Sequence, residues 1–132
     1  MPAEASIKQN AALVVETCKE LVDFPFGYDE QSVAWLEGYI ERQRIRGTFA
    51  QNADTYCAVF GSYLGECIIA AYGGRWHEDE QYALHVLLEG DLRAFPFAKV
   101  RKQMEGGLDG GDSILAFFRS IRALLTMHRS PD

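Results

Sequence analysis

The sequence predicts a mostly helical α+β single domain with a central third helix and a small antiparallel β-hairpin or three-stranded sheet. Three observations carry that expectation. Apolar residues recur with the helical period over most of the chain. The stretch 50–72 is apolar on most of its circumference, which suits a helix in the middle of a domain. After Gly74 the pattern changes to alternation, the mark of strands.

The first helix is expected over 6–22, where Ile7, Ala11, Val14, Val15, Cys18, Leu21 and Val22 repeat at helical spacing. It stops before the stretch FPFGYD, whose Pro25 and Gly27 break the pattern and whose Phe24 and Phe26 can plug the core from a loop. Asp29 is a good N-cap for a second helix over 29–46, with Glu30 at the positive end of the dipole. Val33, Leu36, Tyr39 and Ile40 form its apolar stripe, Trp35 lies about a third of a turn away, and Gly47 stops it.

The third helix, 50–72, ends at Gly73 and Gly74. At 100° per residue Tyr56, Phe60, Tyr63, Leu64, Cys67 and Ala71 share one face. Gly61 and Gly65 lie beside it on a strip with Ile68 and Tyr72, which marks a place of close packing by another backbone or an aromatic ring. Only Ser62 and Glu66 occupy a narrow polar sector, and Ile69 lies on the far side.

Strands are expected over 75–78 and 82–88, joined by an acidic turn, with Tyr82, Leu84, Val86 and Leu88 on one face. Leu92 to Phe97 reads as a loop or a short third strand, since Pro96 is excluded from a central ladder position. A short helix over 98–105 places Val100 and Met104 inward. Asp112 is the expected N-cap of a last helix over 112–128, whose Ile114, Phe117, Phe118, Ile121, Leu124 and Leu125 give the clearest periodicity in the chain.

A chain of 132 residues can build one continuous core, burying roughly two thirds of its unfolded surface. Its 48% hydrophobic and 24% charged residues exclude a disordered chain. A net charge of -6 repels nucleic acid and anionic membranes. The densest basic run, Arg42, Arg44 and Arg46, is interleaved with Glu41 and Gln43 and reads as a solvated helix face. Cys18, Cys57 and Cys67 sit in apolar helical contexts without CxxC spacing, which suits buried free thiols in a reducing compartment. No basic segment followed by an apolar stretch opens the chain, so a cytoplasmic location is expected.

The segments SVAWLEGYIERQR, GSYLGECII, YGGRW, FPFAKV and DSILAFF together resemble a group of small bacterial domains of unknown function. The resemblance spans about Tyr28 to Phe118. It rests on a Leu-Gly-Glu step, Leu64, Gly65 and Glu66, followed by a tryptophan, Trp76. It implies a shared fold and brings no activity with it.

Glu66 is the outstanding candidate residue, because an ionised carboxylate among apolar neighbours needs water or a partner. One reading pairs it with Arg42, Arg44 or Arg75. The other places it in a cleft with Arg75, Trp76 and His77 as a binding group. Arg75, Trp76, His77 and His85 are the further binding candidates, since Trp and Arg supply large contact areas. His77, Glu78, Asp79 and His85 offer metal-ligand types but no HExxH or paired CxxC spacing, so no metal and no cofactor are expected. No serine or cysteine stands in a nucleophile motif, and GGLDGGD lacks the lysine and the spacing of a phosphate loop.

The leading expectation is therefore a non-enzymatic interaction domain that binds a protein partner through the Arg75 to His85 region. A small-ligand or hydrolytic site around Glu66 and the hairpin is the second reading. A structural homodimer using leftover apolar surface such as Trp35 and Ile69 is the third.

Overall fold

The computed structural model describes residues 4–129. Five α-helices and one three-stranded antiparallel sheet form a mostly helical α+β domain. Helix α1 (Glu4–Cys18) ends in a 3-10 turn at Lys19–Leu21, shorter than the helix expected to 22. Helix α2 (Glu30–Ile45) starts as expected: the Ser32 N–H donates to Asp29 Oδ1 at 2.9 Å. Gly47, at φ 81°, terminates it.

The central helix is α3 (Ala53–Tyr72), which touches every other helix and the sheet. Its start lies later than position 50 because Thr48–Ala50 form a separate 3-10 turn. Tyr63, Leu64, Cys67 and Ile68 are buried in the main core with Val33, Leu36 and Ile40 of α2. The Tyr63 hydroxyl donates to the Gly27 carbonyl at 2.5 Å and its ring stacks on Phe26, so the FPF loop does plug the core. Ser62, expected in the polar sector, is buried instead. Its hydroxyl donates back to the Ala58 carbonyl at 2.7 Å, which removes the need for water.

Strands β1 (Arg75–His77), β2 (His85–Leu87) and β3 (Arg93–Ala94) lie in the order β1-β2-β3. The register pairs Trp76 with Val86, His77 with His85, and Val86 with Ala94. Successive residues face opposite sides of a strand. Trp76, Val86 and Ala94 therefore look toward the helices, and Arg75, His77, His85 and Arg93 toward the outside. The expected strand 82–88 contracts to three residues because Asp79 organises the preceding chain as a turn. Asp79 Oδ1 accepts from the N–H groups of Gln81 and Tyr82 at 3.0 and 2.8 Å.

Helix α4 (Pro96–Gly106) begins two positions before 98, with Pro96 in the first turn, where a missing N–H is harmless. Helix α5 (Ile114–Arg129) is capped by Ser113 and not by Asp112: the Ala116 N–H donates to Ser113 Oγ at 2.9 Å. Two more helices serve the same end. The Ile114 N–H donates to Gln103 Oε1 of α4 at 3.0 Å, and the Leu115 N–H to Glu37 Oε1 of α2 at 3.1 Å. The Ser113 hydroxyl also donates to Glu37. Buried Gln103 completes the junction by donating to the Glu37 backbone carbonyl at 3.0 Å.

Candidate functional site

The Leu-Gly-Glu step and the downstream tryptophan meet in space. The Trp76 ring lies against Gly65 so closely that a Cβ built there would fall on its benzene edge, and Phe97 does the same at Gly61. The two rings touch, with centroids 5.7 Å apart. The Trp76 indole N–H donates to Glu66 Oε2 at 2.8 Å. Glu66 Oε1 pairs with Lys8 Nζ of α1 at 3.3 Å, and the Glu66 side chain is 15% exposed. Both carboxylate oxygens thus have partners. Gly65 of the packing strip and the neighbouring carboxylate, which the sequence separates into a packing groove and a polar anomaly, are read by one side chain, Trp76.

The three arginines proposed as partners for Glu66 are engaged elsewhere, and its cation is a lysine. Arg44 Nη2 pairs with Glu41 Oε2 at 2.7 Å, and that hydrogen bond, with the Leu108 N–H, holds the Glu41 carboxyl below its ordinary range. Arg42 lies 6.0 Å over the Trp35 ring. Arg75 Nη1 donates to His77 Nδ1 at 3.1 Å on the outer face of the sheet. Trp76 faces inward, so Arg75, Trp76 and His77 present no common surface.

His77 and His85, on separate strands, are direct cross-strand neighbours with ring centroids 5.6 Å apart. His85 is fully buried although it faces outward, because the loop 78–84 folds over it. Tyr82 of that loop packs on Phe95 at 5.5 Å and edge-on to His85 at 5.8 Å. Arg93 Nη1 reaches His85 Nε2 at 2.6 Å and Asp79 Oδ2 at 3.3 Å while stacking over Tyr82 at 5.0 Å. His77 Nε2 lies 3.5 Å from Asp79 Oδ2. Asp79 sits below its ordinary carboxyl range, chiefly through the Tyr82 N–H, then the Gln81 N–H and the positive charge of Arg93 and His77. The polar groups of this face are largely satisfied by each other. Among the described residues no group of three His, Cys, Asp or Glu side chains could hold a metal ion.

A different place on the molecule is open. Helices α1, α2 and α3 frame a groove of about 420 Å³ walled by Val14 and Cys18 on one side and by Tyr56, Val59 and Phe60 on the other. Tyr39 reaches in from α2, and none of the lining residues carries a charge. Leu13 and Leu21, both in the lining, are 55% and 58% exposed. Burial pushes the Cys18 thiol up to about 11, which keeps it protonated. The sequence offers a signal for this groove in Leu13 and Val59, apolar residues beside the main stripes of their helices. Sequence reasoning placed no site there. It also missed Lys8 and Arg93, and it read Asp79 only as a metal-ligand type and Tyr82 only as a strand residue, whereas Asp79 organises the turn and Tyr82 packs under Arg93.

No helix among the described residues is long and apolar enough to cross a membrane. Compared with family models, curated proteins and solved structures, the chain matches none.

Proposed function

We propose that this protein is a non-enzymatic interaction domain, and that its partner is an amphipathic helix whose apolar side chains seat in the α1–α3 groove. The observation that carries the reading is the uncharged groove flanked by exposed Leu13 and Leu21. Leu13 on α1 and Leu21 in the 3-10 turn that follows it stand eight positions apart, roughly 13 Å along the chain at 1.5 Å per α-helical and 2.0 Å per 3-10 residue. A helical ligand presents apolar anchors at i, i+3 or i+4, and i+7 over a similar length. Leu13 and Leu21 line the groove and are more than half exposed, so a helix lying across it covers apolar surface that the fold itself leaves open.

The Arg75 to His85 region supports binding less well. Its donors and acceptors already meet one another, and Glu66 is closed off by Trp76 and Lys8. Nothing in the region pairs a nucleophile with a base in front of a cavity, which favours a binding role over a hydrolytic one.

Selection of a random-peptide display library against the folded protein tests the reading. Enriched peptides are expected to carry helical apolar spacing and to lose binding to Leu13→Asp and Leu21→Asp. Enrichment of extended or highly charged peptides, or equal binding to both variants, overturns it.

A further inference from the structure

We infer that the loop 78–84 is an acid-released cover, with His85 as its trigger and Arg93 as the group expelled. The inference rests on the donors and acceptors around one ring. An arginine guanidinium only donates, so His85 Nε2 accepts from Arg93 at 2.6 Å. The other ring nitrogen, Nδ1, then carries the single proton and donates to the Ala83 carbonyl at 2.7 Å. His85 is fully buried and neutral in this arrangement.

A second proton has one place to go, Nε2, and there it meets a cation that offers only hydrogens. The imidazolium and the guanidinium repel at hydrogen-bond distance, so Arg93 must leave. Its departure removes two further contacts of the cover, the ion pair to Asp79 and the stacking over Tyr82. The titratable and charged groups around the ring are His77 on β1, Asp79 and Tyr82 on the loop, and Arg93 on β3, with Arg75 behind His77. Asp79, held by backbone N–H groups, stays anionic while the histidines charge, and protonated His77 beside it competes with Arg93 for the same oxygen. Both histidines therefore act in one direction: protons displace Arg93.

The test is a proton NMR titration of the intact protein between about pH 8 and about pH 5, the range in which histidine charges. It follows the His85 Cε1–H shift together with the Tyr82–Phe95 and Tyr82–His85 cross-peaks. The expected result is loss of both sets of cross-peaks in step with the His85 shift, and the same coupling in His77→Asn. In Arg93→Gln the side-chain oxygen can accept the new Nε2–H, so the cross-peaks should persist after His85 charges. If that variant is already open at the alkaline end, His85→Phe decides, since it keeps a ring in the cluster and takes no proton. Persistence of its Tyr82–Phe95 cross-peaks throughout supports the inference. Their loss on acidification overturns it, as does a wild-type His85 that charges without loss of contacts or does not charge at all.

Discussion

The indole N–H of Trp76 donates to Glu66 at 2.8 Å while the same ring covers the bare face of Gly65. Two consecutive positions of α3 are thereby matched by one side chain from β1, and the sheet is fixed to the central helix in distance and in rotation. A Cβ at Gly65 must displace the indole. Gly65→Ala is expected to destabilise by about 1–3 kcal/mol through overpacking, although alanine in a helix is otherwise favoured by about 1 kcal/mol. Urea unfolding measures the sign: a stabilised variant overturns the proposed contact.

Glu66 separates charge from hydrogen bonding. Glu66→Gln retains an acceptor for the indole and forfeits only the pair with a largely exposed Lys8, so its cost should be about 1 kcal/mol or less. Glu66→Leu removes the acceptor and leaves the indole N–H without its partner, at about 1.5–3 kcal/mol. Equal losses in the two variants, read by thermal or urea unfolding, contradict the assigned roles.

The start of α5 gives a prediction in which sequence and structure point to different residues. Ser113→Ala should cost about 1 kcal/mol as the loss of an N-cap. Gln103→Leu strips a buried helix end of its acceptor and should cost about 1–3 kcal/mol. Asp112→Ala, at the position the sequence favours as the cap, should stay within about 0.5 kcal/mol of wild type. A large loss at Asp112 with none at Ser113 reverses the assignment.

These cases show what could be read from the chain. Periodicity located α1, α2, α3 and α5 because burial of a stripe is a local, repeating requirement. The Gly61 and Gly65 strip was legible for the same reason, since a missing side chain on a buried face implies a close neighbour. The identity of that neighbour was not legible: Trp76 and Phe97 reach the strip only through the turn at Gly73 and the path of the sheet. Lys8 meets Glu66 across 58 positions, and Glu37 meets Ser113 across 76. Long-range polar partners leave no period in the sequence. The groove was hidden differently, because apolar residues such as Leu13 look the same whether a neighbouring helix covers them or not.

Acid stability should carry a signature of Asp79. Its folded carboxyl sits below the ordinary value of 3.8, so its contribution is fully present above that value and is lost as the pH falls through the lower, folded one. Asp79→Asn should therefore be less stable than wild type at neutral pH, with the difference shrinking in strong acid as the wild-type carboxyl takes its proton. Denaturant melts at neutral and acidic pH compare the two. A gap that widens on acidification has the wrong sign for a carboxylate stabilised by N–H groups and Arg93.

The thiols report on the groove. Burial pushes Cys18 up to about 11 and Cys67 up to about 12, and also raises Cys57. Relative to the ordinary value of 9.0, Cys18 holds about a hundredfold less thiolate at neutral pH, and Cys67 about a thousandfold less. Reaction with a small thiol reagent should be slow in the folded protein and fast for all three cysteines in denaturant, in keeping with their free, buried state. Cys18 lines the groove and Cys67 lies in the central core, so occupancy of the groove should slow Cys18 alone. A helical peptide enriched on the wild-type protein is the probe, and mass spectrometry of labelled fragments reads each site. Protection of Cys18 with unchanged Cys67 places the peptide between α1 and α3. Equal slowing at both sites reports a general stabilisation of the fold and removes the groove as the binding surface.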